Sequence, residues 1–452
     1  MEEKRSSFSG KLGFILAAAG SAVGLGNIWR FPYLASEYGG GIFLLVYIAL
    51  SLTFGFALMV AEIAIGRKTR KSPICAYKSL HKKWSFLGVL ATIVPVLVLP
   101  YYSVIGGWVT KYAFGFIAGQ GSAMAGDAFF NSFTSSTGEP VLWFGIFLIA
   151  TAIIVLLGVE KGIEKVSKFI MPALVVLMLF IVIYTLCTTD GAWEGVLYYI
   201  TPDFSKFSVM TVVAAAGQLF YSMSLAMGIM ITFGSFMKKE DHIEKATHKI
   251  EIFDTGIAIL AGLMIVPACF AFAGGSAENM QSGPGLMFGV LPKIFETMPA
   301  GGVIGAVFFI MVFFAALTSA ISLMQTVAST IQDRFNLSQK VSTIIVTVGS
   351  FALGLLSCFG DSIFSGFEIL GMKMLEFFDF ITNSALMPLI ALLTCIFVGY
   401  IIKPKTLIEE VQQNGKFKQK GLFTIVIRYV APVCLAVILV SSILSAFNVI
   451  TI

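Results

Sequence analysis

The first long apolar run of the chain contains AAAGSAVGLGNIWRFPY, residues 17–33. It places Gly20, Gly24, Gly26, Asn27, Arg30 and Pro32 where a lipid-facing helix would carry aliphatic side chains. Gly20 and Gly24 alone suit close helix packing. An amide and a guanidinium do not, because polar groups at membrane depth are costly and face a cavity or the protein interior. Together the six residues describe a helix that unwinds, and its freed carbonyls then need a partner. A second run, AAAGQLFYSMSLAMGIMITFGS (214–235), repeats the theme with Gly217, Gln218, Ser222, Ser224, Gly228 and Gly234. A third, AALTSAISLMQ (315–325), sets Thr318 and Ser319 side by side. Such hydroxyls often bond back to the carbonyl four residues earlier. Beside freed carbonyls they would instead offer oxygen ligands to a small hard cation, by extension of the preference known for Ca²⁺ and Mg²⁺.

The elements that must hold these residues are membrane spans. Of 452 residues, 57% are hydrophobic and only 12% charged, against about 45–50% and about 25% in soluble domains. Eleven runs are long enough to cross a bilayer, at about 12–34, 41–65, 86–117, 141–158, 166–187, 209–236, 251–273, 303–330, 341–358, 376–401 and 422–447. A β-barrel is excluded, since its strands would be short and alternating. The first run lacks a cleavage-like site and is not a signal peptide. Of the 30 Lys and Arg, 24 lie in the N-terminal segment and every second loop after it. The positive-inside rule makes that face cytoplasmic, with the C-terminus outside. The 403–420 segment reads as a basic, solvated loop.

Several functions are excluded. There is no HExxH, GxSxG or GxxxxGK[ST], so no hydrolase or ATP motor is indicated. The six cysteines have no metal-type spacing and read as packing thiols. His81, His242 and His248 form no zinc pair. No soluble basic face exists for nucleic acid. Interrupted spans 1 and 6 hold matching places in two five-helix halves, the best sequence pointer to a transporter's central site.

The stretch KLGFILAAAGSAVGLGNIWRFPY, followed by EYGGGIFLLVY, AEIAIGR, GQLFYSMSLAMG, FFAALTSAISLMQ and FFDF, resembles the neurotransmitter:sodium symporter family over nearly the whole chain. The resemblance implies an all-α polytopic protein with the LeuT-type 5+5 inverted repeat, broken helices 1 and 6, and one extra C-terminal helix. Residues 1–10 would be a cytoplasmic segment, 11–190 the first repeat, 205–402 the second, 403–420 a cytoplasmic loop, and 421–452 span 11 and the C-terminus. It implies Na⁺-driven uptake of an amino acid or amine by alternating access, with two Na⁺ sites. The first would use the Ala22 carbonyl, Asn27, Ser222, Asp254 and the substrate carboxylate. The second would use the carbonyls of Gly20, Val23 and Ala315 with Thr318 and Ser319. Asp254 would supply the charge that other members take from chloride; alternatively it lies hydrated at the cytoplasmic end of span 7.

The implied substrate pocket comprises Ser21, Ala22, Leu25, Gly26, Val98, Tyr102, Tyr221, Ser222, Ser224, Met227, Ser319 and Leu323. Unwound N–H groups and the Tyr102 hydroxyl would hold the α-carboxylate, though Tyr102 also reads as an ordinary helical aromatic. Amine-transporting relatives place an aspartate where this chain has Gly24, so an amino acid is favoured. Val98, Tyr221, Met223, Met227 and Leu323 would line the side-chain end, which carries no charge and suits hydrophobic amino acids from aliphatic to aromatic. Arg30–Asp379 would form an outer gate and Arg5–Asp333 an inner one, although the latter pair also reads as solvated charges. Phe236 replaces a tyrosine of the inner network. Glu62, Tyr47 and Gln218 would brace the breaks. Gly162 and Pro172 would let the start of span 5 unwind, or mark an ordinary proline kink. A proton-coupled carrier or exchanger, a channel and a transport-dead sensor are the rival readings. The expected setting is a bacterial inner membrane, as a monomer or weak dimer in the lipid bilayer.

Overall fold

A computed structural model of the chain describes residues 7–275 and 283–446; Arg5 lies outside them. Among the described residues nine continuous helices are long and apolar enough to cross a membrane. They are α2 Gly41–Thr69, α3 Lys82–Ile117, α4 Glu139–Leu156, α5 Val159–Thr188, α7 Ile243–Phe272, α8 Gly301–Phe335, α9 Gln339–Cys358, α10 Met374–Ile401 and α11 Lys420–Leu444. The first span, α1, is a bent pair, Lys11–Ala22 and Gly26–Glu37, whose halves meet at 54°. The sixth, α6, is likewise two pieces, Val209–Ser222 and Ile229–Phe236.

Burial ranks the helices. In α3 and α8, 72% of the membrane-length window is buried, against 33% in α11. The two central helices run 36 and 35 residues, about 52 Å at 1.5 Å per residue, and so outreach a hydrocarbon core of about 30 Å. They pack along one another, α1 lies on α8, and both halves of α6 lie chiefly on α2. The outer helices turn Ile149, Val176, Val348 and Val433 outward, as lipid-facing surfaces do.

Glycine sets the closest helix contact. A Cβ on Gly66 of α2 would fall 1.9 Å from the Ile231 carbonyl oxygen, and one on Gly234 would fall 2.5 Å from that of Ile63. The second half of α6 therefore lies backbone to backbone on α2, as small residues permit in membrane helices.

Three boundaries differ from the sequence reading. Helix α5 starts at Val159 rather than near 166, through a wide turn over Val159–Glu164. Helix α7 starts at Ile243 rather than near 251, so Asp254 lies three turns inside it. The 403–420 segment is not a solvated loop. It folds into the helix Pro404–Val411, which buries Leu407, Glu410 and Val411. The buried Arg67 of α2 donates from Nε to Glu410 Oε1 at 2.8 Å, from Nη2 to the Glu410 carbonyl, and from Nη1 to the Asp241 carbonyl at 2.6 Å. The segment's lysines hid this, because its apolar residues fall on one helical face.

Candidate functional site at the helix breaks

Both breaks leave backbone groups that the helix no longer satisfies. In α1 the Gly24 N–H donates to Asn27 Oδ1 at 3.1 Å, and the Leu25 N–H donates to the Tyr102 hydroxyl at 3.3 Å. Gln218 Nε2 reaches the Gly26 carbonyl at 3.0 Å. In α6 the chain from Met223 to Gly228 leaves the helix, with Ser224, Ala226 and Gly228 at φ of 53°, 62° and 70°. The Ala226 N–H there donates to Glu62 Oε1 at 2.7 Å. The Ser224 hydroxyl crosses to the Ser21 carbonyl at 2.9 Å and ties one break to the other. Glu62 and Gln218 thus sit at the breaks. Tyr47 does not; its hydroxyl goes to Asp254.

Between the breaks lies a narrow cavity. Helix α1 contributes Ser21, Ala22, Gly24, Leu25, Gly26 and Asn27. Opposite stand Val98 and Tyr102 of α3, and Ser319 and Leu323 of α8. Tyr221, Ser224, Met227 and Ile229 close it from α6. No charged side chain among the described residues reaches it. Of the residues expected there, all but Ser222 and Met223 line it. Ser222 turns to Asp254, and the Met223 sulfur packs against Gly55 of α2. Beyond the expected pocket residues, Gly24, Ile229 and the expected ion ligand Asn27 also line it. Gly26 has a steric reason to be glycine: a Cβ there would sit 2.2 Å from the Tyr221 ring.

Two groups of oxygens flank this cavity. In the first, Asp254 is fully buried. Its Oδ1 accepts from Asn27 Nδ2 at 2.8 Å and from the Ser222 hydroxyl at 2.7 Å, and its Oδ2 accepts from the Tyr47 hydroxyl at 3.2 Å. Asn27 Nδ2 also lies 2.8 Å from Ser222 Oγ. The carboxylate is therefore not a hydrated helix end. In the second group, the Ser319 hydroxyl lies 3.1 Å from both the Ser21 and Val23 carbonyls. The Thr318 hydroxyl lies 3.1 Å from the Ala315 carbonyl and 3.2 Å from that of Phe314. Gly20 lets α1 close on this point, since a Cβ there would lie 3.3 Å from Thr318 Cβ. The donor set is carbonyls and hydroxyls without a carboxylate, which suits a hard monovalent cation. Among the described residues no three His, Cys, Asp or Glu side chains converge as a metal site.

Of the two expected gate pairs, one lies wholly within the described residues. Arg30 and Asp379 do not form an ion pair. The Arg30 guanidinium stands 5.8 Å over the Tyr221 ring, within reach of a cation–π contact. Asp379 Oδ1 accepts from Tyr101 at 3.2 Å and Asn383 at 2.6 Å. Tyr101, adjacent to Tyr102, was not singled out in the sequence. Asp333 Oδ2 accepts from the Ser72 N–H at 2.6 Å, and its expected partner Arg5 is outside the described residues. Phe236 meets Phe8 edge to face at 6.2 Å. Pro172 lies inside a continuous α5, and Gly162 lies in its first wide turn.

Two half-helix breaks facing one cavity between oxygen-lined sites define a secondary transporter with the LeuT-type fold. The chain belongs to the sodium:neurotransmitter symporter family, which it matches over residues 5–122 and 128–450. It is 33% identical over 446 residues to an uncharacterized sodium-dependent transporter of Bacillus subtilis, with 97% of each chain covered. A second uncharacterized sodium-dependent transporter, from Haemophilus influenzae, is 31% identical and covers 97% of this chain and 98% of its own. The crystal structure of MhsT in complex with L-phenylalanine superposes with a TM-score of 0.88 at 36% identity, covering 97% of this chain and all of that one.

Proposed function

We propose that the chain imports hydrophobic L-amino acids, aliphatic to aromatic, together with Na⁺ and without a chloride requirement. The observation that carries this reading is a cavity free of charged side chains, bordered on one side by the buried carboxylate of Asp254. A zwitterion needs its charges met by backbone and ion, and its apolar side chain needs apolar walls. The α-carboxylate would lie against the N–H groups at the start of the second half of α1, where the helix dipole is positive. The Tyr102 hydroxyl would assist it. The amino group would meet the Ser21 carbonyl and Ser224. Val98, Tyr221, Met227, Ile229 and Leu323 would surround the side chain. Met adapts to different shapes, and one methylene changes affinity by only about 1–3 kcal/mol, so the range should be broad. MhsT, with L-phenylalanine bound in its crystal structure, supports an amino-acid substrate.

One Na⁺ would join Asn27, Asp254, the Ala22 carbonyl and the substrate carboxylate, with Ser222 beside them. The fixed negative charge of Asp254 would replace chloride. The second Na⁺ would bridge α1 and α8 through Gly20, Val23, Ala315, Thr318 and Ser319. Its loss, with unwinding of α5 between Gly162 and Pro172, would open the inner side. Arg30 and Asp379 would close the outer side, with Tyr102 and Tyr221 as its lid; Arg5 and Asp333 would close the inner side. The lysine and arginine distribution supports a cytoplasmic N-terminus in a plasma membrane. The test is uptake of labelled amino acids into proteoliposomes, with and without an inward Na⁺ gradient, each with and without chloride. Na⁺-driven, chloride-indifferent accumulation of leucine or phenylalanine is expected. Accumulation without Na⁺ would overturn both ion sites and favour proton coupling. Binding without accumulation would make the chain a sensor.

A further inference from the structure

The segment that leads into α1 is fastened on two sides. On one side it meets the end of α6. Phe8 is 1% exposed, and its ring lies edge to face against Phe14 at 5.7 Å and Phe233 at 5.9 Å. Its N–H donates to the Phe236 carbonyl at 3.3 Å. Lys238, just past α6, donates from Nζ to the Ser9 carbonyl at 2.7 Å.

On the other side a single carboxylate holds it to α5. Glu164 closes the wide turn Val159–Glu164 and is only 2% exposed. Its Oε2 accepts from the Ser9 N–H at 2.7 Å, and its Oε1 accepts from the Ser9 hydroxyl. Lys168, one turn along α5, stands 2.6 Å from the same Oε1 and 3.5 Å from the Ser9 hydroxyl. Both oxygens are thus occupied, and the charge has its cation. Gly13 makes the room: a Cβ there would lie 2.2 Å from the carboxyl carbon of Glu164. The acid therefore lies against the first turn of α1 while its oxygens reach Ser9. Bonds to an ionised acceptor are about twice as strong as neutral ones, and two of them end on this one residue.

The position of Glu164 in α5 decides what the clasp does. It lies two residues after Gly162 and eight before Pro172. Turning that stretch out of helix swings Glu164 off α1, because side-chain direction follows the backbone. Ser9 then loses its acceptor. Conversely, a departing Ser9 leaves a buried carboxylate short of donors, which is costly unless the turn that carries it moves toward water.

We infer that Glu164 is a positioning residue that makes release of the N-terminal segment and unwinding of α5 a single event. The inference rests on the reading that α5 unwinds to open the inner side, and it adds a latch on α5 to the Asp333 position on α8. Neither motion proceeds alone, so the inner side has two states rather than a continuum.

Hydrogen–deuterium exchange of the full chain in nanodiscs, without substrate, tests this. Two stretches are read, residues 7–16 and 159–172, in Na⁺ and with choline in its place. Glu164→Gln keeps the shape and removes the charge. Ser9→Ala removes the hydroxyl bond from the other partner, at an exposed position. Glu160→Gln, the control, alters an exposed acid of the same turn. Exchange in the helix Gly301–Phe335 reports the global fold and should match wild type throughout. In Glu164→Gln, exchange should rise about tenfold in both stretches, the weight of one charge-assisted hydrogen bond. Ser9→Ala should speed 159–172 as well, by a smaller factor since its N–H bond remains, because coupling is reciprocal. A carboxylate that merely braced α5 would leave that stretch unmoved in Ser9→Ala. The inference is overturned if Ser9→Ala loosens residues 7–16 alone, if Glu164→Gln leaves them as protected as in wild type, or if Glu160→Gln loosens both stretches equally. Should Glu164→Gln loosen α8 too, Ser9→Ala decides by itself. A wild type that exchanges alike in Na⁺ and choline would count against the ion sites and not against the clasp, which the variants read.

Discussion

At the residue scale, Asp254 carries the sharpest consequence. Its carboxylate is buried and accepts from Asn27, Ser222 and Tyr47. Asp254→Asn keeps the shape and removes the charge. Removing one partner of a buried charged network costs about 3 kcal/mol or more, roughly 10²-fold in apparent Na⁺ affinity. A Na⁺ titration of uptake in chloride-free medium should show this, and chloride should restore part of it. An unchanged Na⁺ affinity would remove Asp254 from the ion site. Gly26→Ala tests the lid. Its Cβ would meet the Tyr221 ring at 2.2 Å, so the ring must swing away, and substrate affinity should fall about tenfold. Wild-type affinity in equilibrium binding would show that Tyr221 does not cover the substrate. Most of the cavity was legible here because a polar residue in an apolar run has few reasons to exist. Met223 was misplaced because the chain leaves the helix after Ser222, and helical spacing no longer tells which way a side chain points. Charge complementarity makes the Arg30–Asp379 pair visible in sequence, whereas the Tyr101 hydroxyl and Asn383 amide that hold the Asp379 carboxylate in this structure are a matter of geometry.

At the element scale, α2 and the second half of α6 form one body, since Gly66 and Gly234 bring their backbones together. Gly234→Ala should cost about 1–3 kcal/mol by overpacking and lower the thermal midpoint by several degrees. A midpoint equal to wild type would mean that the two helices are free to part. Helix α5 behaves differently. It is continuous, but Pro172 leaves one backbone hydrogen bond unmade. Pro172→Ala should strengthen the helix and lower the turnover of uptake several-fold, with substrate binding unchanged. Equal losses in binding and turnover would assign the proline to packing instead. The spans themselves were plain from hydropathy. The helix Pro404–Val411 was not, because its apolar residues are few, lysines surround them, and the surface that receives them is α2, far back in the chain.

At the scale of the whole molecule, the cavity and the proposed ion sites share residues. Asn27 lines the cavity and bonds Asp254, and Ser319 lines it while touching the Val23 carbonyl. Coupling between two ligands is reciprocal. The factor by which Na⁺ tightens substrate should therefore equal the factor by which substrate tightens Na⁺, when both are measured by equilibrium binding on detergent-solubilised protein. A Na⁺-independent substrate affinity would leave the shared residues without a coupling role. The clasp of Arg67 on Glu410 carries a consequence in time. Its partners are 343 residues apart. At about 5–20 residues per second of synthesis, the acceptor emerges roughly 17–70 s after the guanidinium. Until then α2 stands in the bilayer with its end unlatched. The last helices added are what complete the first ones, and a chain cut short before 410 would be a substrate for membrane proteases however well its first ten spans had inserted.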